Sequence, residues 1–161
     1  MIPFGRMYYA VLPSISRSIA ADEVILNLAA PSDAALAIVS AHLSVRGTDD
    51  LNEPNHIEWV RASTAGTGGG TVTFEVNEVG DPVPGATCTG IDADGWSAAP
   101  TITDFWSGGP MNLATGWEWS YGVNGRPIIV SPSGYVGFRV TDAFSAAMQI
   151  EAGITFVEIG G

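Results

Sequence analysis

There is no lysine in this chain. Six arginines stand against seventeen acidic residues, a formal net charge of −11. A nucleic-acid backbone needs a basic footprint, so this balance excludes that class of partner, and it opposes binding to anionic membrane surfaces. Low lysine beside abundant Gly, Ala and Thr is also what genome composition alone produces. One cysteine, Cys88, rules out an internal disulfide framework and fits folding in a reducing cytoplasm. Two histidines and that cysteine are too few for a zinc cluster. No apolar run approaches the roughly 18 residues of a membrane helix. The first residues lack a basic region followed by an apolar core, so no signal peptide is expected.

What the chain does have is apolar content of 46%, above that of a disordered chain. At 161 residues it is read as one domain spanning 1–161, with residues 1–12 as a first strand or an N-terminal arm. Ten prolines and twenty glycines punctuate short apolar runs, the pattern of an all-β sandwich or barrel. Strands are expected at 4–12, broken by Pro13, and at 23–29, where Val24, Leu26 and Leu28 share a face. Further strands are expected at 57–62 and 71–79. Residues 33–46 are open to two readings. Alanine richness and a Ser32 cap favour a helix, whereas Ile38-Val39 and Ser44-Val45 favour a strand. The strand is chosen because its surroundings are β. From Ala86 to Gly116 the pattern degrades into an irregular, aromatic-bearing stretch, which in a compact domain marks function or an interface.

The clearest local signals lie between Trp117 and Ile159. Asn124-Gly125 between two apolar runs predicts a type I′ hairpin, pairing Val123 with Arg126, Tyr121 with Ile128 and Trp119 with Val130. A second hairpin is expected beyond Pro132-Ser133-Gly134, setting Phe138 against Ile150, Val140 against Met148 and Arg139 diagonal to Glu151.

Chemical motifs are sparse. Cys88 with His42 or His56 has the residue types of a thiol nucleophile but no local signature, and a small buried hydrophobe is the commoner role. Residues 66–70 are glycine-rich without the Lys-Ser/Thr ending of a phosphate loop. Asp92-x-Asp94-Gly95 resembles the opening of a calcium loop. The fifth position is Trp96 and the bidentate position Thr103, so only a shortened site with Asp104 remains, and an Asx-type turn is the simpler account. Acid pairs such as Asp49-Asp50, or Glu75 with Glu78, arise readily by chance among seventeen acids. No metal or other cofactor is expected. The tryptophans carry more. Trp59 and Trp119 are expected in the core, whereas Trp96 and Trp106, beside glycines and aspartates, are candidate contact residues.

An acidic, cysteine-poor all-β chain with these C-terminal segments, Pro127 to Thr141 and Met148 to Ile159, resembles the jelly-roll decoration proteins of tailed-bacteriophage heads. The resemblance implies an antiparallel β-sandwich of jelly-roll type and a non-enzymatic virion protein on the capsid exterior. It also implies synthesis in the host cytoplasm, assembly as a homotrimer, and the major capsid protein as partner. Ile2, Pro3, Phe4, Trp96, Phe105 and Trp106 are the expected contact residues, since termini are often ordered by docking. The alternatives are a carbohydrate-binding or receptor-binding module, with exposed aromatics in a groove, and a glycosidase, with two carboxylates across a cleft.

Overall fold

A computed structural model describes residues 6–47, 54–76, 80–121 and 125–160. Among the described residues twelve strands are formed: β1 (Met7–Arg17), β2 (Glu23–Ala29), β3 (Ala35–Arg46), β4 (Pro54–Ala62), β5 (Gly70–Thr71), β6 (Thr73–Val76), β7 (Thr87–Gly90), β8 (Ile102–Asn112), β9 (Trp117–Ser120), β10 (Ile128–Val130), β11 (Tyr135–Val140) and β12 (Met148–Ile159). They make two antiparallel sheets. Sheet A runs β10-β3-β12-β1-β6 with β9 also on β3, and sheet B runs β5-β7-β2-β11-β4-β8.

The pairings are nested. β1 lies on β12, β2 on β11, β3 on β9 and β10, and β4 on β8. The chain is therefore one long two-stranded ribbon with its tip between β4 and β8, rolled so that each ribbon segment passes to the opposite sheet. Rolling adds the contacts of β12 with β3 and β11 with β4. This is the jelly roll, with four principal strands per sheet. An excursion at the ribbon tip supplies β5, β6 and β7 and widens both sheets. It changes sheet at the buried Val72, with β5 on β7 in sheet B and β6 on β1 in sheet A.

Several expectations hold. β2 has the expected bounds, 33–46 is strand over Ala35–Arg46, and the architecture is an antiparallel β-sandwich. Both expected hairpins are corrected. β9 and β10 do not pair with each other: Trp119 lies opposite Ala41 and Val130 opposite Leu36, both strands running the same way along one edge of β3. The free edge of β3 accommodates both pieces in line. Val123 and Asn124 of the expected turn lie outside the described residues. β11 and β12 fall in different sheets, so Phe138 meets Leu26 and Trp59, while Ile150 meets Ile15 and Val45. Arg139 accordingly pairs with Glu58 at 2.6 Å, not with Glu151. Pro13 does not end the first strand. β1 bulges between Leu12 and Ile15, which accommodates a residue with no N–H for the ladder, and then resumes.

The core fills the space between the sheets. Over most of its length it is aliphatic, with Leu12, Leu26, Leu28, Ile38, Leu43, Ile150 and Ile154 all fully buried. Toward β8 and β9 it becomes aromatic.

Candidate functional site: an aromatic edge and an open sheet face

Trp59 organises the aromatic end. Cross-strand register places Phe138 and Trp106 on either side of it on the inner face of sheet B. Its indole is near-parallel to that of Trp106, with centroids 6.4 Å apart and planes 15° apart. Trp117 and Trp119 of sheet A meet it edge-on at 5.8 and 5.1 Å, and Phe138 does so at 5.9 Å. Edge-to-face contact suits the quadrupoles of such rings. The Trp59 indole N–H is buried and finds no oxygen acceptor.

Where β8 and β9 form the flank of the sandwich, a groove of about 620 Å³ opens. Its floor is set by a bulge. Register on β4 slips between Ile57 and Glu58, so Gly108 is the extra residue on β8. The bulge leaves the Gly108 carbonyl to accept the Trp117 indole N–H at 2.9 Å, tying the two edge strands together. Gly109 follows with φ +114°, a backbone state that suits glycine. Residues 108–110 form one wall. Strand β9 and the Ser40, Ala41 and His42 stretch of β3 form the other.

From this groove the outer face of sheet A extends as a surface of mostly half-buried side chains. One row across the strands reads Glu75, Tyr9, Thr155, Ser40, Ser120, and the next reads Thr73, Val11, Gly153, His42, Glu118. Gly153 permits a contact across β12. A Cβ there would lie 2.5 Å from the Tyr9 ring and 2.7 Å from His42, and in its absence the Tyr9 hydroxyl sits 3.2 Å from His42 Nε2. Burial pushes the His42 pKa below its usual value, opposed by Glu151 and Glu118. Burial raises that of Tyr9, helped by Glu151 and Glu75. A third row, Met7, Val157, Ala37, Ile129, is apolar, and Ile129 is 49% exposed.

The outer face of sheet B is different. Val60 is fully buried, and Val24, set opposite Arg139 by a bulge, is buried with it. The loop after β4 is held down by Asn27, whose side-chain amide donates to the carbonyls of Thr64 and Ala65 at 3.1 and 3.2 Å. The Trp96 indole N–H donates to Val24 O at 2.8 Å, and the chain at Gly66 and Gly69 closes against its ring.

The expected contact residues therefore part company. Ile2, Pro3 and Phe4 lie outside the described residues. Trp96 is half-buried and fastens a loop to its own sheet. Trp106 is half-buried on Trp59, with the Arg61 guanidinium 5.6 Å from its ring. Phe105 projects from the edge strand, 55% exposed, with Arg139 4.9 Å from its centroid. Among the weak metal candidates, Asp92 accepts the Asp94 backbone N–H at 2.9 Å, making the Asx turn, while Asp104 accepts that of Phe105 on β8. No group of three His, Cys, Asp or Glu is placed to hold a metal among the described residues. Cys88 on β7 stands three strands from His56 on β4, roughly 14 Å at usual spacing. Burial pushes its thiol pKa far up, against a smaller opposing hydrogen bond from the Asn27 backbone, which disfavours the thiolate. Asp49, Asp50 and Glu78 lie outside the described residues.

Sequence reasoning missed His42, Glu118 and Tyr9 as neighbours. They come from three strands far apart in the chain, and their only sequence signal was the outward half of each alternation. Comparison with family models, with curated proteins and with solved structures found no match.

Proposed function

We propose that this chain is a virion structural protein that decorates the outside of a bacteriophage capsid, holding its place by symmetric protein–protein contacts. The observation that carries the reading is the inequality of the two outer faces. Sheet B is finished by its own loops. Sheet A presents a face of short, partly exposed side chains, bordered by an apolar row that is buried at Val157 and Ala37 and surfaces at the half-buried Met7 and the exposed Ile129. Such a face lies flat against a neighbour with little side-chain ordering, which keeps the entropic cost of association low. The net charge of −11 suits a particle exterior and opposes contact with packaged nucleic acid. In this reading the partner is the major capsid protein, the protein is a homotrimer, and it is made in the host cytoplasm. Phe105 and Trp106 on the exposed edge strand are further contact residues.

The test uses the purified chain and empty shells assembled from the major capsid protein of the same genome. Light scattering should give three times the 16.7 kDa chain mass, and the chain should co-sediment with shells saturably. Ile129→Arg, at an exposed position, should abolish co-sedimentation while leaving the melting temperature unchanged. A monomer that ignores the shells would end the proposal, as would an Ile129→Arg variant that still attaches with full affinity.

A further inference from the structure

The groove between β8 and β9 is not needed for flat association, and its chemistry is specific. We propose that it is a binding site for a neutral carbohydrate, with Trp119 and Pro110 as the apolar contact and Glu118, His42 and Ser40 as the groups that read hydroxyls. The inference stands apart from the decoration reading, since a sugar site can be present whether or not the chain attaches to a shell.

Shape comes first. A half-open concavity of about 620 Å³ falls within the range of small-ligand sites and is the size of a pocket, not of a crevice between side chains. Its floor is fixed, because the Gly108 carbonyl is tied to the Trp117 indole at 2.9 Å. At Gly109, which has no side chain, a ligand can approach the backbone closely.

The lining then selects the ligand. A sugar ring offers an apolar C–H face and a rim of hydroxyls, each both donor and acceptor. Pro110 supplies apolar surface to the first, with the uncovered edge of the half-buried Trp119, whose ring turns inward against Trp59. For the second, the Glu118 carboxylate only accepts, the Ser40 hydroxyl does both, and neutral His42, with one ring nitrogen engaged by the Tyr9 hydroxyl, offers the other. Glu118 and His42 are directly opposed across β9 and β3, and Ser40 is two residues along the same face, so the three polar groups form one contiguous edge. Among the described residues no arginine lines the groove, and a carboxylate does, which turns away phosphates, sulfates and acidic sugars. An organic cation would suit Glu118 and the indole but leave Ser40 and His42 without a reason, so the hydroxylated neutral ligand is the better fit.

The experiment is calorimetric titration of the full chain, with tryptophan fluorescence in parallel. The probes are neutral oligosaccharides of glucose, galactose, mannose and N-acetylglucosamine, with a glucuronate oligomer and choline as charged comparators. At least one neutral sugar should bind and shift the emission, and neither comparator should compete. Glu118→Gln, an exposed isosteric change, should weaken binding roughly tenfold, the usual effect of losing a charge-assisted hydrogen bond. Ser40→Val should weaken it less, and Glu75→Gln, at the far edge of the same face, should leave it unchanged. Absence of binding across the neutral panel at millimolar sugar overturns the proposal. So does choline displacing the sugar, or a Glu118→Gln variant with wild-type affinity. Circular dichroism of each variant separates loss of binding from loss of fold.

Discussion

The two sheets of this sandwich share one core but finish their outer faces differently. On the outer face of sheet B, Val60 is fully buried under the protein's own loops, and Asn27 and Trp96 fasten those loops with hydrogen bonds; on that of sheet A, burial is confined to the row of Ala37 and Val157 and to Gly153. On the outer face of sheet A, the equivalent positions are Ser40, Ser44, Thr155 and Gly153, with Tyr9 and His42 lying against the glycine. A polar group under a roof must be satisfied by the roof. A small residue on an open face places no such demand and leaves the surface free for something else.

The same substitution placed on each face should separate them most sharply. Val60→Arg puts an unpaired charge where exposure is zero and should cost at least about 3 kcal/mol, enough to unfold a marginal domain. Ser44→Arg, outward on exposed β3, should change stability by less than about 0.5 kcal/mol. Urea denaturation of the two variants reads the difference directly, and near-equal costs would abolish the distinction between the faces.

The roof's fastenings come next. Asn27→Ala leaves the Thr64 and Ala65 carbonyls without their donor and should cost about 1–3 kcal/mol. Trp96→Phe keeps most of the ring and loses only the hydrogen bond to Val24 O, so about 1 kcal/mol is expected. Both should speed amide exchange in residues 63–69 before they affect sheet A. Exchange that rises equally in both sheets would mean the roof is part of one cooperative unit and not a separable layer.

The alternation of apolar residues is legible because each strand buries one face against the other sheet, whichever strand it pairs with. That is why β2 and β4 could be read from Leu26, Leu28 and Trp59, although a bulge takes Val24 off their face and sets it opposite Arg139. Pairing was not legible for the same reason. Phe138 and Ile150 face the same core from opposite sides, and alternation alone cannot say whether two inward-facing strands share a sheet. The Asn124-Gly125 signal is a local preference for a tight turn. It is outweighed by the long free edge of β3, which takes β9 and β10 in line. The groove was even less visible, since Gly108 matters only as a bulge opposite Ile57 and Glu118 only as the neighbour of His42. The irregularity of residues 86–116 pointed toward the region without revealing its chemistry.

The smallest effect expected is a pH dependence confined to the open face. The groups facing His42 are the Tyr9 hydroxyl from β1, Glu118 from β9 and Glu151 from β12. Burial lowers the His42 pKa below the 6.5 of a free imidazole, and the two carboxylates only partly offset it. Above pH 6.5 the ring is neutral in both folded and unfolded chains, and pH has no leverage through it. As pH falls through 6.5, the unfolded chain takes up a proton that the folded chain does not, so stability declines until the folded-state pKa is passed and then levels. His42→Asn should flatten that limb of the stability profile. Glu151→Gln, by removing a charge that favours the imidazolium, should lower the His42 pKa further and widen the window. Proton NMR titration of the two histidines in each variant measures this. A His42 resonance that titrates at or above 6.5 would mean the carboxylates outweigh burial, and the open face would then be better suited to a cationic partner than to a neutral one.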